Sequence, residues 1–130
     1  MPAVTFRDET ATGRPVAEVQ IAVLPERMTV RELVRLRVRE EVARHNARPA
    51  ERFNGLVRPD GAEAELNCYR LREPRRLDWE RQAEIAERAF LGNGFFVLAG
   101  DRQVEDLDEE IDLAACPDLV FIKLVPLVGG

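Results

Sequence analysis

The stretch Leu119-Val-Phe-Ile-Lys-Leu-Val125 near the end of the chain is apolar at every position but Lys123. A run of that length suits one buried strand and is too short to span a membrane. The rest of the chain must therefore supply a core for it. Pro126 stops the ladder, because it has no N–H to donate. Beyond it the sequence runs Leu127, Val128, Gly129, Gly130. Most chains end in polar, frayed residues. Here a core strand leads into a slim apolar tip. Two glycines let a carboxylate enter a narrow channel where any Cβ would clash, and open backbone shapes closed to other residues. Two readings stand: the Gly130 carboxylate is a reactive group, or the tail is frayed and ends in Gly-Gly incidentally.

What precedes the tail begins as a hairpin. Val4 and Phe6 alternate with Thr5 and Arg7, Ala11-Thr-Gly-Arg14 is a turn, and a second strand is expected from Pro15 to Leu24. On it Ala17, Val19, Ile21 and Val23 share one face, with Glu18 and Gln20 on the other. Thr29 and Glu32 then form a capping box, flanked by Met28 and Leu33 as a hydrophobic staple. The helix they start is expected to run from Val30 to Ala43 or Arg44. Val30, Leu33, Val34, Val38 and Val42 make its apolar stripe, while Arg31, Arg35, Arg39, Glu40 and Glu41 lie in solvent.

Residues 46–76 carry dense turn signals and little apolar content, which reads as an extended excursion with a short hairpin. A second helix is expected from Asp78, its N-cap, to Leu91, where Gly92-Asn93-Gly94 ends it. Trp79, Ala83, Ala86 and Phe90 line one face of it. The ends of that face, Trp79 and Phe90, either dock on the rest of the protein or form a partner surface. Phe95-Phe-Val-Leu-Ala-Gly-Asp-Arg-Gln-Val104 reads as strand, turn and return strand. Leu107–Leu113 reads as a short helical turn, and Ala114–Asp118 as a loop before the last strand.

Composition excludes several functions. At 130 residues the chain fits one domain, 1–130. With a net charge of −5 and no basic stripe interleaved with aromatics, nucleic-acid binding is not indicated. Met1-Pro-Ala-Val-Thr-Phe-Arg7 reads directly into a strand rather than a secretory leader, so a cytoplasmic protein is expected. Cys68 and Cys116 lack metal-ligand spacing and are expected to be plain thiols, Cys116 half-buried. His45, the single histidine, sits near the first helix's C-terminus and is expected to cap it or lie at the surface. No catalytic triad, phosphate loop or dinucleotide-binding pattern is present, so no catalytic residue and no metal ligand is assigned. Lys123 is the only lysine beside eighteen arginines. Arginine-favouring codon usage explains this more simply than avoidance of self-attachment.

The order hairpin, helix, strand, turn, strand, short helical turn, final strand and Gly-Gly resembles the ubiquitin-like β-grasp fold, an α+β class. The match is closest at Phe96-Val-Leu-Ala-Gly100 with Val104-Glu-Asp106, and at the last strand with Gly129-Gly130. It covers residues 4–45 and 94–130, and leaves 46–93 as a helical insertion between the main helix and the third strand. Two features depart from the family. Asp101-Arg-Gln103 makes a turn one residue longer. Spacing counted back from Gly130 would turn Lys123 into the core, so Val120, Ile122 and Leu124 are expected to face in and Lys123 out. Val97 is then the best candidate for the family's exposed recognition patch.

The chain thus looks like a bacterial ubiquitin-like modifier. The resemblance implies partners: an E1-like adenylating enzyme, an E2-like conjugating enzyme, a deubiquitinase-like peptidase and a target protein, with neither nucleic acid nor membrane. It implies activation at Gly130, next to Gly129, with ATP and Mg²⁺ used by the activating enzyme and no cofactor bound by this chain. Pro126, Leu127 and Val128 would seat the tail in that enzyme's channel. The tail lacks the arginines of ubiquitin and is closer to sulfur carriers of thiamine and molybdopterin synthesis. A thiocarboxylate-forming sulfur carrier is therefore the alternative, and a non-conjugating β-grasp binding module a third. In the first two the chain is a substrate, not an enzyme.

Overall fold

The computed structural model describes residues 3–22, 25–65 and 68–123. Helices and a mixed sheet place it in the α+β class. The described residues fall into two compact units, one from the stretches up to Leu33 and from Phe90 onward, the other from Val34–Ala89.

In the first unit, alternation at Val4 and Phe6 gives strand β1 (Val4–Thr10), which turns through Gly13 at φ +85° into β2 (Pro15–Ile21). The positive φ is one that glycine adopts without strain. β2 is an edge strand. Val19 and Ile21 are half-buried opposite Phe6 and Val4, while Ala17 is exposed opposite Asp8, where the pairing slips. Strands β7 (Phe95–Ala99), β8 (Arg102–Val104) and β10 (Asp118–Lys123) complete a five-stranded sheet of order β2-β1-β10-β7-β8. β1 and β10 run parallel at its centre, and the other pairs are antiparallel. The buried face carries Val4, Phe6, Phe95, Val97, Val104, Leu119 and Phe121. Phe121 meets Phe6 edge-on at 5.6 Å between ring centres and lies 6.4 Å from Phe95.

The last strand therefore has the opposite register from the one expected. Leu119 and Phe121, not Val120 and Ile122, are the core residues. Lys123 shares their parity and is half-buried at the last described position of the strand, and Leu124 lies outside the described residues. The expectation rested on the cost of burying a lone lysine. At a strand end the aliphatic stem can cover apolar surface while the ammonium reaches water, so that cost does not decide the register.

A second correction concerns Leu107–Leu113. The segment is not a helical turn. Glu110–Asp112 forms strand β9, paired antiparallel with β3 (Arg27–Thr29), Met28 opposite Ile111. This ladder fixes the start of helix α1 (Val30–Ala47). The capping box closes as expected: Glu32 N–H donates to Thr29 Oγ1 at 3.1 Å, and Thr29 N–H to Glu32 Oε1 at 3.4 Å. Two more first-turn amides, Val30 and Arg31, donate to the carbonyls of Glu109 and Leu107 at 2.9 and 2.8 Å. A helix start leaves such donors without an intrahelical partner, and here the chain itself supplies acceptors.

The second unit continues α1 from Val34. Val34, Val38 and Val42 are buried, as the stripe predicted. The helix ends at Ala47, later than expected, because its last turn is tied down. His45 is 8% exposed, its Nε2 bonds the Arg75 carbonyl at 2.7 Å, and its ring sits edge-on to Phe53. It is a buried anchor, not a cap or a surface group. Asn46 makes a reciprocal pair with the backbone of Leu77, Nδ2–H to O at 2.8 Å and N–H to Oδ1 at 2.7 Å. Glu41 is also not in solvent, and its partners are described below.

The 46–76 excursion holds more order than a hairpin. Strands β4 (Arg52–Phe53), β5 (Glu63–Glu65) and β6 (Cys68–Arg70) form a small antiparallel sheet of order β4-β6-β5. The Phe53 ring lies where a Cβ on Gly55 would stand, 2.1 Å away, so this site takes only glycine. Helix α2 (Trp79–Leu91) starts at Asp78, whose Oδ1 accepts from Glu80 N–H at 3.0 Å. It ends at Asn93, in the left-handed region at φ 60°. Ala83 and Ala86 are fully buried in the second unit.

Candidate functional site

The site expected from the sequence is the tail. Pro126, Leu127, Val128, Gly129 and Gly130 lie outside the described residues. What is described is the strand that carries the tail. β10 is flanked on both sides, by β1 from Asp118 to Lys123 and by β7 from Leu119 to Lys123. Its backbone donors and acceptors are committed to two ladders, so its end is held by the centre of the sheet.

The sheet face opposite the core presents an apolar group that the sequence reading missed. Phe96 stands directly across from Ile122, and Leu98 from Val120. All are half-buried, against complete or near-complete burial of Phe95, Val97, Leu119 and Phe121. Neighbouring strands border the group with polar side chains. Arg7, opposite Val120, pairs with Glu18 at 3.5 Å, and Gln103 lies opposite Leu98. An apolar group rimmed by polar residues is the usual composition of a contact surface.

Val97, expected on the exposed patch, is 2% exposed and belongs to the core. Alternation along β7 turns Phe96 and Leu98 outward instead. Phe90, expected at a partner surface, is 6% exposed and packs 5.9 Å from Phe95 in the first unit. Its ring is consumed by folding. Trp79 is half-buried in the second unit, with the guanidinium groups of Arg35 and Arg39 at 5.8 and 5.4 Å from its ring. Arg35 also lies 3.7 Å from Glu87. Two cations over one indole face fix that ring, so Trp79 is part of a local cluster.

Other chemistry-bearing groups point away from catalysis. Burial pushes the Cys116 thiol up from its ordinary range, and the Asp118 charge adds to this. A thiol raised in this way is a poor nucleophile near neutral pH. Glu109 is held below the usual carboxylate range by its hydrogen bond to Arg102. Among the described residues no group of three or more His, Cys, Asp or Glu could hold a metal ion, and no helix is long and apolar enough to cross a membrane. An open depression of about 220 Å³ is lined by Gly61, Glu63, Arg70, Leu71 and Arg72. Its walls mix charges, and Arg70 faces Glu65 at 3.8 Å.

No family model matches the chain, and neither a curated protein nor a solved structure matches it.

Proposed function

We propose that this chain is a ubiquitin-like protein modifier with a β-grasp sheet, carrying its reactive carboxylate at Gly130. The observation that supports the reading is the strand arrangement. An N-terminal hairpin feeds a capped helix, and the first strand pairs parallel with the last, in the order β2-β1-β10-β7-β8. The last strand then leads into Leu-Val-Pro-Leu-Val-Gly-Gly.

In this reading an E1-like enzyme spends ATP with Mg²⁺. The Gly130 carboxylate attacks the α-phosphorus, and pyrophosphate leaves. An enzyme thiolate then displaces AMP to give a thioester. A target amine finally displaces the thiolate, forming an amide and losing its proton. This chain supplies the tail and the surface that enzymes grip. It does not supply the catalyst. Phe96, Leu98, Val120 and Ile122 are the surface assigned to partner contact, in place of Val97 and Phe90. An E2-like enzyme and a deubiquitinase-like peptidase would be its other partners.

The arginine-free Pro126-Leu127-Val128 tail favours the second reading, a sulfur carrier whose adenylate yields a thiocarboxylate. Mass spectrometry of the C-terminal peptide from the native host separates the two. A Gly130 amide to another protein's amine is the expected result. A thiocarboxylate would replace the modifier reading with sulfur transfer. A free carboxylate throughout, with neighbouring enzymes active, would leave only a binding module.

A further inference from the structure

We infer that this chain is not an acceptor of itself: its single lysine is placed where an incoming thioester cannot reach it, so the lysine route to self-linked chains is closed. The inference rests on the modifier reading and names the class of amine that reading excludes.

Lys123 is the only ε-amine among the 130 residues. Had the strand taken the register expected from the sequence, the ammonium would stand on the outer sheet face beside Ile122, open to an approaching enzyme. The observed register turns it the other way. Lys123 has the parity of Leu119 and Phe121, which are 1% and 0% exposed, and is itself half-buried. It also sits on the central strand, between Thr10 of β1 and Phe95 of β7. A lysine on an edge or a loop can be carried to an enzyme by moving a few residues. One laddered on both sides moves only if the sheet opens.

Acyl transfer needs both freedom and proximity. The amine must shed its proton and bring its lone pair to the thioester carbonyl carbon. The N–C bond forms, the C–S bond breaks, the thiolate leaves, and the second proton goes to solvent. Reacting atoms must come within about 3–3.5 Å in line. The flanking strands stand on both sides of Lys123, so the bulk of a loaded enzyme cannot close that distance. The eighteen arginines add no acceptors, because guanidinium stays protonated. Each conjugation event should therefore add one copy.

Two measurements test this on the intact chain. Acylation by N-hydroxysuccinimidyl acetate, followed at the Lys123 peptide by mass spectrometry, is expected to run at least about tenfold slower in buffer than in concentrated urea. Equal rates would overturn the inference whatever the chain's function. In the host, wild type and Lys123→Arg are expected to give the same set of conjugates, each one copy heavier than its target. A branched peptide joining Gly130 to Lys123 of a second copy would also overturn it. Slow acylation with no Gly130 amide on any protein would remove the modifier reading and the consequence drawn from it, while leaving the burial of Lys123 as measured.

Discussion

In the sheet unit the buried side chains are hydrocarbon, from Val4 and Phe6 through Phe95 and Val97 to Leu119 and Phe121. In the Val34–Ala89 unit, buried valines and alanines are joined by Arg37, His45 and Gln82, the buried polar residues among those described. Each has a directional partner. Arg37 Nε donates to Glu41 Oε1 at 2.6 Å, His45 bonds the Arg75 carbonyl, and Gln82 Nε2 donates to the Val57 carbonyl at 3.4 Å. Glu41 Oε2 accepts from Leu56 N–H at 3.1 Å, so one carboxylate ties a helix to a loop. Hydrocarbon burial is graded and non-directional, whereas a buried polar contact is satisfied or costly. The first unit should tolerate changes that keep volume. The second should fail at particular atoms.

The largest test is Phe121→Ala. It empties the centre of the aromatic group and is expected to cost about 4 kcal/mol in urea unfolding. Trp79 is the only tryptophan and lies in the other unit, so its fluorescence reports that unit while far-UV circular dichroism reports both. Coincident, equally shifted midpoints would mean one cooperative transition. A Trp79 midpoint that stays put while the dichroism midpoint falls would mean the units unfold separately. Next is Glu41→Ala, expected to cost about 3 kcal/mol, because it strips a buried guanidinium of its carboxylate and Leu56 N–H of its acceptor. Glu41→Gln keeps an acceptor oxygen and should cost less. Equal losses in the two variants would show that charge, not the hydrogen bond to Leu56, holds the loop.

This contrast also explains what could be read in advance. The hairpin, the capping box and the strand pair around Gly100 were legible because each is a local signal. So was the apolar stripe of α1, a periodic one. The register of β10 was not, because Val120 and Ile122 are as apolar as Leu119 and Phe121, and alternation carries no information when both faces are hydrocarbon. Phe96, Leu98, Val120 and Ile122 were missed for the same reason. Their one available signal was the parity of Phe95 and Val97, which the family spacing contradicted. Glu41 and His45 were misread because their partners, Leu56 and Arg75, are far along the chain. β9 was read as a helical turn because its ladder is three residues long and its partner β3 lies far upstream. The tail was prominent in sequence, yet its chemistry is a matter for the peptide measurement above.

A smaller effect is expected at the junction where both kinds of holding meet. Thr29→Ala removes the hydroxyl that accepts from Glu32 N–H and should cost about 1 kcal/mol. The Glu109 and Leu107 carbonyls still accept from the next two amides, so α1 should keep its start. Loss of helix signal along with the stability would show that the cap, not the β3–β9 ladder, sets that boundary.

The smallest effect separates surface charge from buried polarity within the second unit. Asp60 accepts from Arg81 at 2.8 Å, with side-chain exposures of 64% and 42%, so solvent screens the pair. The hydrogen bond from Arg81 holds the Asp60 carboxyl below its ordinary range. The unfolded chain therefore takes up this proton first as pH falls. The pair's contribution is complete above the unfolded value and is lost as pH drops through the lower folded one. The stability gap between wild type and Asp60→Asn should thus be small and constant from neutral pH down to roughly pH 4, then close in more acid solution. It should also shrink in high salt. A gap that survives both acid and salt would mean the carboxylate acts through loop shape, as Glu41 does, and the line between exposed pairs and buried ties in this unit would have to be redrawn.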